Sequence, residues 1–134
     1  MKYLLDTHIV LWYLIGDERL PQKARNLIDD EQNEIFFSLV SMWEIEIKHI
    51  AHPEIMKPSG YTILKKCESA DFSILQLRAE HIATLHSLQK AENAPKHNDP
   101  FDRMLLAQAK SENMIFITHD SLIPYYNESC ILSV

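Results

Sequence analysis

The stretch Met114-Ile115-Phe116-Ile117-Thr118-His119-Asp120 is apolar for four residues and then turns polar at once. A strand without polar alternation is covered on both faces, the usual state of a central strand in a parallel sheet. The helix that feeds it is legible just upstream. Asp99 stands as cap, Pro100 takes the first helical position, and Phe101, Met104, Leu105 and Ala109 form an inward face over residues 100–111. Working outward, residues 2–5, 34–37 and 72–75 read as three further strands, with a fifth at 130–132. Between them lie helices at 8–15, after Leu20-Pro21 (Ala24, Leu27, Ile28) and from Ser41 (Trp43, Ile47, Ile50). A short one begins at Tyr61, and another runs through Leu77, Ile82, Leu85 and Leu88. Residues 91–98 form the one long polar loop. This alternation predicts an α/β layer fold with right-handed crossovers.

A chain of 134 residues suits one core and is short for two, and no linker or repeat divides it, so residues 1–134 are expected to form a single domain. Two glycines and six prolines argue against a disordered or repetitive polymer. Cys67 and Cys130 make no disulfide framework and are expected as reduced, partly buried thiols. Asp6 interrupts the opening apolar run too early for a signal sequence, and no stretch approaches a membrane span, so a cytoplasmic location is expected. The formal net charge of -6 counts against indiscriminate nucleic-acid binding. Carboxylates grouped around divalent ions would inflate that total without excluding a metal-dependent nuclease.

Asp6 closes the first strand and Asp120 follows the fourth. Glu44 and Asp102 each stand three residues after a cap candidate, Ser41 and Asp99. One reading is that the last two acids terminate helices, Ser41 with Glu44 as a capping box. The other is that all four meet outside the carboxyl ends of parallel strands, where helix N-termini favour ionised carboxylates. Clustered carboxylates repel one another without a cation, and their hard oxygens suit Mg²⁺ or Mn²⁺. Asp6, Glu44 and Asp102 lead this candidate metal set, Asp120 completes it directly or through water, and Asp99 is divided between capping and a metal-linked role. Such an ion activates water for phosphodiester cleavage.

Thr7 and Thr118 are candidates to orient water or carboxylates, against ordinary strand-end pairing. Arg103 either meets phosphate or pairs with an acid. His49 and His52 lack the partners of a zinc site. His8, His97 and His119 lie beside the site loops, where contact with RNA competes with simple loop or surface placement. Trp12 and Tyr13 are candidates for a subunit or inhibitor interface, while the other aromatic side chains are expected in core or partner packing. No nucleophile elbow or glycine-rich phosphate loop is present.

In this ordered set the chain resembles the PIN-domain nucleases, particularly VapC-type toxins of bacterial toxin–antitoxin pairs. The resemblance runs from Leu4-Leu5-Asp6-Thr7-His8 to Thr118-His119-Asp120. It is carried most specifically by Ser41-Met42-Trp43-Glu44-Ile45 with Lys48, and by Asp99-Pro100-Phe101-Asp102-Arg103 followed by Leu105-Leu106-Ala107-Gln108-Ala109. It implies a three-layer α/β/α sandwich with a mainly parallel central sheet and a homodimer. It also implies Mg²⁺- or Mn²⁺-dependent endoribonuclease activity with Asp6, Glu44, Asp102 and Asp120 as the catalytic quartet. Asp99 belongs to the extended motif, and Lys48 serves either site electrostatics or helix-surface pairing. A toxin of this kind would cleave structured RNA such as transfer RNA, inhibit translation and bind a small cognate antitoxin. The runner-up is a PIN-like regulatory or binding protein without catalysis, and a small metal phosphatase is a third reading.

Overall fold

A computed structural model describes all 134 residues. Five strands, β1 (Lys2–Leu5), β2 (Glu34–Ser38), β3 (Ser73–Leu75), β4 (Ile115–Thr118) and β5 (Ile131–Ser133), form one sheet in the order β3-β2-β1-β4-β5. Every pairing is parallel, with Leu4 between Phe36 and Phe116. The expected α/β/α sandwich is therefore present, and its sheet is wholly parallel.

Six α-helices connect and cover the strands: α1 (Thr7–Ile15), α2 (Gln22–Asp29), α3 (Leu39–Ala51), α4 (Gly60–Ser69), α5 (Ala79–Thr84) and α6 (Pro100–Glu112). Successive strand residues point to opposite faces, which divides the apolar residues between two cores. Tyr3, Leu5, Ile35, Phe37 and Ile117 join Ile9, Val10, Ala24, Ile28, Ile63 and Cys67 of α1, α2 and α4 on one side. Leu4 and Phe116 join Leu105, Leu106 and Ala109 of α6 on the other. Each fully buried large side chain contributes roughly 1.5–3 kcal/mol. Leu4, Leu5, Phe37, Phe116 and Ile117, all at 0% exposure, therefore fix the register of the central strands.

Local chemistry sets the helix ends. Gly16 closes α1 at φ 66°, its N–H reaching the Trp12 and Tyr13 carbonyls, and Asn113 closes α6 in the same left-handed conformation. At Gly60 the constraint is close approach, since a Cβ there would stand 2.5 Å from the Met42 carbonyl oxygen, which is what lets α4 start against α3. Both cysteines are free, Cys67 buried and Cys130 half-buried. No helix is long and apolar enough to cross a membrane.

The helix expected from Ser41 begins earlier. Ser38 is its cap, accepting from the Val40 N–H at 3.0 Å, and Ser41 lies inside α3. The buried face of α3 is Val40, Ser41, Glu44 and Ile45, whereas Trp43, Ile47 and Ile50 are exposed. An apolar triplet at helical spacing thus faces outward, because the polar Ser41 and Glu44 hold the inward positions.

Candidate metal centre

Asp6 leaves the end of β1 and Asp120 stands two residues beyond β4. These are neighbouring strands from which the chain proceeds in opposite directions, so a crevice opens between their carboxyl ends. A helix leading into a parallel strand runs back across the sheet, and this places the N-terminus of α6, with Asp99 and Asp102, at the same edge. Glu44 enters from the second turn of α3. Asp6, Glu44 and Asp102 are all buried, and Asp99 and Asp120 half-buried.

Each carboxylate has a holder. Asp6 Oδ1 accepts from the Thr7 N–H at 2.8 Å, and its Oδ2 accepts from the Thr118 hydroxyl at 2.7 Å. Thr118 Oγ1 in turn accepts from the Asp120 N–H at 3.0 Å, linking the acids after β1 and β4 through one hydroxyl. Glu44 Oε1 accepts from the Thr7 hydroxyl at 2.7 Å, with Ser41 Oγ 2.9 Å from the same Thr7 oxygen. Lys48 Nζ pairs with Glu44 Oε2 at 2.9 Å. Asp99 Oδ1 caps α6 through the Phe101 and Asp102 N–H groups, and Asp120 Oδ1 accepts from the Leu122 N–H. Arg103 lies half-buried on α6, near enough to Tyr126 to act on its phenol electrostatically.

His97, expected in a loop or at the surface, is only 5% exposed. Its Nε2 stands 3.2 Å from Asp102 Oδ2 and its Nδ1 3.1 Å from the Tyr126 hydroxyl. An ionised Asp102 requires the proton on Nε2, which leaves Nδ1 to accept from Tyr126. No periodic pattern relates His97, in an irregular loop, to Tyr126, 29 residues away. A histidine five residues before Asp102 was the only sequence signal. His8 and His119 are exposed.

The acids act on one another electrostatically. Burial, then the charges of Asp6, Asp99, Asp120 and Glu44, push the Asp102 carboxyl up to about 8. Burial likewise raises Asp6 to about 6, with Glu44 adding to the shift and hydrogen bonds from Thr118 and Thr7 opposing it. Burial disfavours the ionised form of both carboxyls, and the neighbouring acids add to it. In donor type and charge the set fits a hard divalent cation, and each carboxylate oxygen that accepts one hydrogen bond keeps a further lone pair. In this conformation, however, no three Asp, Glu, His or Cys side chains stand close enough to hold one ion together. The acids are turned toward their protein donors.

A family model described as PIN domain matches residues 3–127. The chain belongs to the PIN-domain family. Three solved structures show the same PIN fold. VapBC2 from Rickettsia felis, bound to a DNA fragment from its promoter, matches at TM-score 0.71 and 16% identity, covering 100% of this chain and 99% of that one. FitAcB from Neisseria gonorrhoeae matches at TM-score 0.53 and 18% identity, covering 90% and 88%. FitAB bound to the IR36 DNA fragment matches at TM-score 0.54 and 22% identity, covering 89% and 85%. No individually curated protein matches the chain. In PIN-domain terms, the acids after β1 and β4 and at the start of α6 occupy one sheet edge, with Glu44 joining them from α3.

Proposed function

We propose that this PIN-domain chain is a divalent-metal-dependent endoribonuclease, the VapC-like toxin of a toxin–antitoxin pair. It would cleave structured RNA such as transfer RNA in the cytoplasm and so inhibit translation. The observation that carries this reading is the Asp102 carboxyl at the crevice, raised first by burial and then by the charges of Asp6, Asp99, Asp120 and Glu44. Asp6, Glu44, Asp102 and Asp120 would hold Mg²⁺ or Mn²⁺, and Asp99 would fix the start of α6 beside it. When bound, the cation supplies an activated water and charge neutralisation at the phosphate. Thr118 orients Asp6, Thr7 orients Glu44, and Ser41 supports Thr7. Lys48 balances Glu44, and Arg103 offers a guanidinium to RNA phosphate. The structural neighbours are VapBC2, FitAcB and FitAB, whose likeness supports a small cognate antitoxin as the partner of this chain. The assembly we propose is a homodimer.

A second reading has its own observation: with no three acids converging, the chain would serve as a PIN-like regulatory protein without catalysis. The two are separated by incubating antitoxin-free protein with total small RNA in chelator, Mg²⁺ or Mn²⁺, beside an Asp102→Asn control. Discrete metal-dependent cuts absent from the control support the nuclease. No cuts by folded wild-type protein in either ion favour the regulatory protein.

A further inference from the structure

Beside Asp6 and Asp120 the crevice continues into a cavity of about 270 Å³, whose remaining walls are His8, Trp12, Arg19 and His119. These four are organised around the indole. His119 meets Trp12 edge-on with ring centres 5.6 Å apart, His8 lies tilted at 5.9 Å, and the Arg19 guanidinium stands over the indole at 5.2 Å. Asp17 fixes that guanidinium by accepting from it at 2.7 Å, and α1 ends at Gly16 just before this clamp. The His119 ring is steadied by the Val134 carbonyl. Aromatic surface and a cationic side chain therefore share one small cavity with two of the acids, in a chain whose net charge is -6.

We infer that this cavity is a nucleotide subsite, which takes the RNA base next to the phosphate cleaved at the acids. The inference rests on the nuclease reading above and adds where the substrate is gripped. Trp12, with His119 and His8, supplies the stacking surface that every base accepts, and Arg19 supplies the cation for the adjoining phosphate. An apolar peptide fits this cavity poorly, because Trp12 is its single hydrophobic lining residue. An adjoining apolar groove shares His8, Trp12 and Arg19 with this cavity but is otherwise walled by Leu11, Ile15, Ile55, Met56 and Ile63 and has neither Asp6 nor Asp120 in its lining.

The chain has two tryptophans, so Trp43→Phe leaves Trp12 as the only indole emitter. That protein would be titrated with mixed transfer RNA in Ca²⁺, following emission, with filter binding as an independent measure of affinity. Saturable quenching is expected. Affinity should fall about ten-fold in Trp12→Leu and be largely kept in Trp12→Phe, as loss of one stacked base requires. Arg19→Ala, at an exposed position, should weaken binding several-fold while leaving the fold intact. RNA binding with unchanged emission and unchanged affinity in both Trp12→Leu and Arg19→Ala would overturn the subsite, leave the nuclease reading standing and return Trp12 to the apolar groove. Absence of RNA binding by the wild-type protein would overturn the nuclease reading and the subsite with it.

Discussion

Replacing Asp102 by Asn should make the metal-free protein more stable while abolishing its proposed activity. The Asp102 carboxyl stands at about 8 against an ordinary 3.8. Each unit of such a shift is about 1.36 kcal/mol, so ionising the group inside the fold costs on the order of 5 kcal/mol before solvent screening. The side chain keeps 12% of its surface in water, and we take about half that figure, 2–3 kcal/mol, as the expected gain. The direction follows from proton counting. Between pH 4 and about 8 the native protein retains a proton that the unfolded chain has lost, so stability falls as pH rises through that window. Asparagine carries no such proton, can still accept from His97, and escapes the fall. At about 4 °C per kcal/mol for a chain of this size, Asp102→Asn should melt about 10 °C above wild type at pH 8.5 in chelator, with a much smaller gap at pH 5. Thermal unfolding followed by circular dichroism at the two pH values measures this. Saturating Mn²⁺ should raise wild type and narrow the gap. A variant that melts at or below wild type at pH 8.5 in chelator would refute the crowding of charge at Asp102.

Three further outcomes are expected. Gly60→Ala should lose about 1–3 kcal/mol by chemical denaturation, because the new Cβ meets the Met42 backbone at 2.5 Å and one of the two helices must shift. Ser38→Ala removes the α3 cap and also the hydroxyl that donates to buried Gln108. A loss of about 2–3 kcal/mol is expected in the same assay, where a loss under 0.5 kcal/mol would show that neither bond contributes as described. Tyr126→Phe removes the hydroxyl beside His97 Nδ1 and so loosens the histidine that meets Asp102; Mn²⁺ affinity measured by paramagnetic resonance should weaken about ten-fold, with a loss of about 1–2 kcal/mol in stability.

The strands were legible because each is a short apolar run bounded by polar residues, and β4 announced a covered sheet by having no alternation. The acids after β1 and β4 followed from strand direction alone. The start of α3 was not legible, since Ser38 and Ser41 both have capping chemistry and only the tertiary position of Thr7 draws Ser41 inward. The helical spacing of Trp43, Ile47 and Ile50 does not by itself say which way that face points, and the structure turns it out. His97 with Tyr126, and Trp12 with His119, are contacts between residues far apart in sequence, where neither helical nor strand periodicity carries information.

The position of β1 has a consequence for how the chain comes into being. It is the middle strand of the sheet yet the first to be made, and one of its two neighbours is β4. Asp6 is held by a hydroxyl 112 residues further along. A growing chain therefore cannot assemble the crevice until the segment carrying Thr118 has been made. If the chain is a nuclease, a polypeptide still being translated is harmless to the RNA being read around it. A partner that captures the finished fold would then have only completed molecules to restrain.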